Sequence, residues 1–348
     1  MTATARLFTE AGPLHVAEAF AQGFEDRVSS GGGYCILEDN WQRRLIAIVD
    51  VSDESFYCLD FYRLSGGKEH WWSFHAQEGE FSTRGLQLIA QKTGTLAGPD
   101  VPYGDEEWLK KNGCVKTNYG WHGLMFGFPH LYNVERARAN DVWSADWILK
   151  NSDQLHFRLT GVESGGAEVI VCDGKSPSGG SPYEMKWVLL HREGTAPLQS
   201  RFLNLMELYR GDPVIQSVRP LVVKPQNPEA TAVGGIVRLR TGRTDTIFIC
   251  SDPQTLCTAE GGFRFIGRVG LHSLEQDGRE RVVLVGGKEL TRNGKGIQQN
   301  MGEYRGEIKE VNRETETITV SPAPPGAKHW WASISSSPIP TGASLIRC

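Results

Sequence analysis

Two histidines, His70 and His75, lie five positions apart in the run Glu69-His70-Trp71-Trp72-Ser73-Phe74-His75, and imidazoles can serve acid–base or metal chemistry. Successive side chains of a strand point to opposite faces, so a separation of five divides the pair unless a bulge intervenes. A metal ion shared by the two is therefore not expected. Each is left with two readings, a hydrogen-bonded structural role or a place facing a cleft. Trp71 and Trp72 must also point one in and one out, which gives at least one of them to a core. The Gly-flanked loop Asn118-Tyr119-Gly120-Trp121-His122-Gly123 combines polar and aromatic groups, as loops that meet ligands or neighbouring domains do. Trp121 and His122 are its candidate contacts, since flat apolar rings suit the faces of pyranose sugars. Arg63 and Asp60 fall on opposite faces of their strand, so one of them turns inward and needs a partner there. A buried ion pair or hydrogen-bond network is the expected reading. Arg238, Arg240, Arg243, Arg264 and Arg268 make the later part of the chain locally basic. Such a surface can take an acidic glycan, although Asp245, Asp252 and Glu260 dilute it.

The elements that must position these residues read almost entirely as strands. The run 44–51 is β-branched and apolar, Ser52-Asp53-Glu54-Ser55 supplies turn chemistry, and 56–64 is a second aromatic-rich run, which together predict a hairpin. Further strands are expected over 69–75, 154–160, 168–172, 186–191, 202–209 and 214–223. Helix is expected only at 13–20 and 105–111. Many short strands between Gly, Ser, Asn and Asp turns indicate an all-β chain built from sandwiches. Lys224-Pro225-Gln226-Asn227-Pro228-Glu229-Ala230 reads as a linker. The expected organisation is a large antiparallel, supersandwich-like β-sandwich over 1–224, then a smaller β-domain over 225–348. In the latter, 310–320 reads as a hairpin turning near 312–314. Residues 343–348 read as the start of a strand without a partner, so the chain is expected to stop before its domain does.

Composition narrows the classes. The chain has 348 residues, of which 22% are charged, with a formal net charge of −4. That is against nucleic acid and anionic membranes as partners, since both favour a basic face. No apolar run approaches the ~20 residues of a membrane helix, and the N-terminus lacks a secretory pattern. The seven cysteines include no C-x2-C, and several lie in apolar strand-like runs. They read as buried thiols, not as a disulfide framework or zinc cluster. Fingerprints for serine hydrolases, nucleotide phosphates, dinucleotides and zinc proteases are missing.

The run 50–75 resembles a strand pair of the heparinase II/III-like polysaccharide lyases through Tyr57, Asp60, Tyr62, Arg63, Gly66, Gly67, His70, Phe74 and His75. A second stretch, Gln199 to Tyr209, is similar to that family's s-x-F-v-x-v-x-E-p-Y strand, with Leu208 where Pro is common, and Trp143 and Trp147 precede a strand as they do there. The resemblance implies the β-sandwich part of an enzyme that cleaves uronate-containing acidic polysaccharide, a glycosaminoglycan or alginate, by β-elimination. In that reaction a base removes the C5 proton, a neighbouring group neutralises the carboxylate, and an acid protonates the leaving oxygen. Most of the catalytic groups in the family come from a helical toroid. A further His and a zinc site come from early strands with H-x-H-x-D and S-T-x-H-N-T patterns, neither of which occurs in this sequence. The resemblance therefore implies a chain that begins after those strands, with no cofactor and no catalytic residue of its own. Its partners would be the polysaccharide and the toroid of the same enzyme, in the periplasm or outside the cell. The substrate contacts expected from it are Arg63, His70, His75, Trp121 and His122. The competing expectation is a standalone, non-catalytic carbohydrate-binding or surface β-protein.

Overall fold

The computed structural model describes residues 2–22, 25–27, 34–36, 40–118, 120–123, 125–163, 165–175, 183–300, 307–312 and 317–321. The expected strand at 343–348 lies outside these residues, as do Tyr119 and residues 313 and 314 of the expected turn. The chain divides into two compact units, Met1–Leu7 with Ala17–Val214, and Phe8–Val16 with Ile215–Cys348.

In chain order the elements up to residue 214 are β1 Thr2–Ala11, β2 Leu14–Gln22, β3 Glu25–Arg27, β4 Tyr34–Ile36, β5 Trp41–Asp50, β6 Phe56–Ser65, β7 Glu69–His75, β8 Gly79–Arg84, β9 Ile89–Ala90, α1 Glu106–Lys111, β10 Val115–Thr117, β11 Gly120–His122, β12 Leu131–Arg138, β13 Trp143–Leu149, β14 Leu155–Glu163, β15 Glu168–Lys175, β16 Glu184–Glu193 and β17 Gln199–Arg210. Strands β1-β2-β5-β6-β17-β14-β13-β8 make an eight-stranded sheet and β7-β16-β15-β12-β9 a five-stranded one. The predicted hairpin is β5–β6, antiparallel from Trp41↔Ser65 to Asp50↔Phe56. The two sheets face each other over one core. From the larger sheet come Leu64, Trp143, Ala145, Trp147, Leu159 and Phe202, and from the smaller Trp72, Val169, Val171, Val188 and Leu190. This is a sandwich. The period of two is sharp in β15, where Val169 and Val171 enter this core while Ile170 and Cys172 enter a second one with Leu131, Val134 and Leu189. A strand buried on both faces reads as a continuous apolar run, as Val169-Ile170-Val171-Cys172 does.

The helix expected at 105–111 forms as α1, with the Asp105 side chain accepting from the Trp108 amide at 2.9 Å and acidic residues in its first turn. The helix expected at 13–20 is instead strand β2. Leu14, Val16 and Glu18 are buried at alternate positions, and pairing in the eight-stranded sheet overrides the helix preference of Ala and Glu.

The later unit contains β18 Ile215–Leu221, β19 Val223–Pro225, β20 Ala232–Leu239, β21 Thr244–Cys250, β22 Cys257–Ala259, β23 Phe263–Ile266, β24 Val269–Leu274, β25 Glu280–Val285, β26 Glu289–Arg292, β27 Lys295–Gln298, β28 Glu307–Asn312 and β29 Thr317–Ser321. Strands β18-β20-β21-β24-β25 and β19-β22-β23-β26-β27 form two five-stranded sheets, and β28 pairs with β29. Phe248, Cys250, Cys257, Phe263, Phe265 and Leu290 from both sheets share a core. The boundary expected near residue 224 falls inside β19.

Candidate functional site

Arg63 lies directly opposite Arg43 of β5 and Arg201 of β17. Three guanidinium groups therefore form one cross-strand row on the face of the eight-stranded sheet that points away from the sandwich core. Like charges set directly opposite repel, so the row needs anions. Glu18 lies 2.9 Å from Arg43 Nε and 3.8 Å from Arg63 Nη2, and Arg201 Nε donates to Glu163 Oε1 at 2.6 Å. The row grades from buried to open, the Arg63 side chain being 9% exposed, Arg43 22% and Arg201 46%. Arg192 lies opposite His70 on the smaller sheet and is not part of this row. The row thus gathers three guanidinium groups with Glu18 and Glu163. The Trp41 ring lies 5.8 Å from the Arg63 guanidinium, giving the corner an aromatic face beside its positive charge.

The Gly66-Gly67 turn shapes this end. Gly66 has φ +109°, and a Cβ there would lie 1.7 Å from Asn40 Oδ1. Its amide donates to the Leu198 carbonyl at 2.9 Å. His70 fastens the turn from inside the sandwich. Its Nε2 is 2.7 Å from the Gly66 carbonyl and its Nδ1 is 2.8 Å from Ser200 Oγ. A carbonyl only accepts, so Nε2 carries the proton and Nδ1 accepts from the serine. Burial lowers the His70 pKa from its ordinary 6.5, the Gly66 bond opposes this, and Arg192 lowers it further. His70 is therefore neutral and structural at neutral pH.

Asp60, on the other face of β6, takes two hydrogen bonds from Arg44, each 2.8 Å, and one of 2.9 Å from Trp72 Nε1. Both Asp60 and Arg63 are buried, and each has its own partners. His75 is exposed, its ring 4.2 Å from that of Trp187 and its Nδ1 3.1 Å from the Ala76 carbonyl. Trp121 and His122 stand on the separate β10–β11 ribbon. There the Lys116 ammonium sits 5.5 Å from the Trp121 ring and bonds Glu106 of α1 at 2.6 Å. Arg63 and His70 thus belong to one end of the sandwich, whereas His75, Trp121 and His122 do not join them.

A second polar constellation lies further along the same outer face, at Asp146, His156, Arg158, Glu207 and Tyr209. Asp146 pairs with Arg158 and Arg158 with Glu207 across three strands, while His156 pairs with Tyr209. The Asp146 carboxylate accepts from His156 Nδ1 at 2.7 Å, from Arg158 Nε at 3.1 Å and from Tyr209 Oη at 2.5 Å. Tyr209 accepts from Arg158 Nη2 at 2.6 Å and stacks on His156 at 4.6 Å. A carboxylate only accepts, so in its bond to Asp146 the His156 Nδ1 carries the proton. Burial and the bond to Asp146 hold the Tyr209 hydroxyl well above the ordinary tyrosine range, against Arg158, so it stays protonated. Arg201 and Glu207 lie six positions apart along β17, a rise of about 20 Å. The two groups do not act on one sugar unit. Sequence reasoning missed this constellation, although the alternating His156-x-Arg158 and Glu207-x-Tyr209 spacings place each pair on one strand face.

Among the described residues, no group of three His, Cys, Asp or Glu side chains is placed to hold a metal ion. Comparison of the chain with protein-family models and with curated proteins finds no match.

Proposed function

We propose that this chain is the β-sandwich part of a heparinase II/III-like lyase and that it holds an acidic, uronate-bearing polysaccharide at the arginine end of its larger sandwich. The observation that carries this reading is the cross-strand row Arg43–Arg63–Arg201. Guanidinium groups take carboxylates in short, charge-assisted and often bidentate pairs. A row of them at strand spacing, about 4.8 Å per strand, suits a polymer that repeats a carboxylate. Trp41 supports the reading as an apolar platform for a ring face. Arg63, buried beside Glu18, then backs the row while Arg43 and Arg201 are its more open members, and Gly66, Gly67 and His70 set the turn that shapes its end of the sheet. The proton-abstracting groups of the elimination are proposed to come from a helical toroid, so this chain alone turns over no substrate.

Electrophoresis through gels containing alginate, a polyuronate, or dextran, a neutral glucan, tests the proposal. Retardation by alginate alone, weakening as salt screens the pairing, is the expected result. Equal mobility in both gels would remove the polyuronate. Release of unsaturated uronate by this chain alone, seen as new ultraviolet absorbance, would overturn the division of labour and turn attention to His156 and Tyr209.

A further inference from the structure

Cys250 ends β21 and Cys257 opens β22, so the two belong to opposite sheets of the later unit. Their side chains are buried in one core with Phe248, Phe263 and Phe265. Both thiols lie in that one core between the sheets, and Cys250 Sγ reaches the Asp252 carbonyl at 3.3 Å. The six-residue connection between them is pinned. Asp252 accepts from the Gln254 amide at 3.0 Å and from Asn227 Nδ2 at 3.1 Å, and the Asp252 carbonyl accepts from the Thr255 amide at 3.3 Å. The fold thus brings two cysteines from opposite sheets into one core, where a bond between them would join the sheets.

We propose that Cys250 and Cys257 are a covalent modification site, forming a disulfide that staples the two sheets, with a small-molecule disulfide such as oxidised glutathione as oxidant. The thiolate of one cysteine attacks the glutathione disulfide, whose S–S bond breaks to release one glutathione thiol and leave a mixed disulfide. The second cysteine, as thiolate, displaces the remaining glutathione. The pair loses two protons and two electrons, and the oxidant becomes two thiols. In the closed core the contact with Cys250 and burial hold Cys257 well above the ordinary thiol range, so the exchange belongs to the refolding chain. This inference is independent of the polysaccharide reading.

The test is refolding of the full chain from denaturant in a glutathione buffer or in excess reductant, followed by alkylation and tryptic mass mapping. The peptide 244–264 contains both cysteines and no internal Lys or Arg. After oxidative refolding it is expected unalkylated and lighter by two hydrogens, taking two alkyl groups only after reduction. The oxidised protein should unfold on the order of 5 °C higher, a gain missing from the Cys250→Ala/Cys257→Ala variant. Alkylation of both cysteines after oxidative refolding, or their linkage to any of the other five cysteines instead, would overturn the proposal.

Discussion

His70 and Gly66 show how a residue that looks chemical can be architectural. The imidazole donates to the carbonyl of a glycine whose own conformation no other residue adopts comfortably. Because burial lowers the folded-state pKa of His70, the unfolded chain binds the proton more readily. Stability from this site is therefore present above about pH 6.5 and is lost as pH falls through that value. Urea unfolding between about pH 7.5 and 5 should show a falling midpoint in the wild type and a shallower fall in His70→Gln. Equal slopes would remove His70 as the titrating group. Gly66→Ala places a Cβ on Asn40 and forces a strained backbone, and should cost about 1–3 kcal/mol. A neutral substitution would mean that the turn can be rebuilt. From the sequence alone, the opposite faces of His70 and His75 followed from strand period, but which face was interior did not. That depended on the register of β7 against β16, which puts Trp72 beside Leu190 in the core.

At the scale of elements, most strands were legible because apolar alternation and turn residues coincide. The β5–β6 hairpin and the doubly buried β15 are the clearest cases. Substitution in β15 should reflect its two cores: Ile170→Ala should cost about 2–5 kcal/mol, whereas Ile89→Ala, at a side chain 75% exposed, should stay within about 0.5 kcal/mol. Thermal or urea unfolding of the two variants decides this, and similar losses would contradict the assignment of Ile170 to an interior. Strand β2 escaped the sequence reading because its Ala and Glu residues favour helix locally, while its buried Glu18 has a use only once Arg43 and Arg63 are beside it. The arginine row was hidden for the same reason. Arg43, Arg63 and Arg201 are far apart in the chain and meet only through two strand registers. The same holds for Asp146, His156, Arg158 and Tyr209, which three strands bring together.

For the whole molecule, two basic regions compete as the surface that meets an acidic polymer. The later unit looked basic in sequence, but there Arg243 is buried in a two-bond pair with Asp245 and Arg264 pairs with Glu289, while Arg238 and Arg240 are exposed and Arg268 is half-buried. The larger sandwich instead aligns its arginines in a row. Calorimetric titration with alginate oligomers at low salt separates the two most directly, using Arg43→Gln/Arg201→Gln and, as a control that removes the same charge, Arg238→Gln/Arg240→Gln. The account predicts about a tenfold or greater loss of affinity in the first variant and wild-type affinity in the second. Equal losses in both, or loss only in the second, would contradict a binding site on the arginine row.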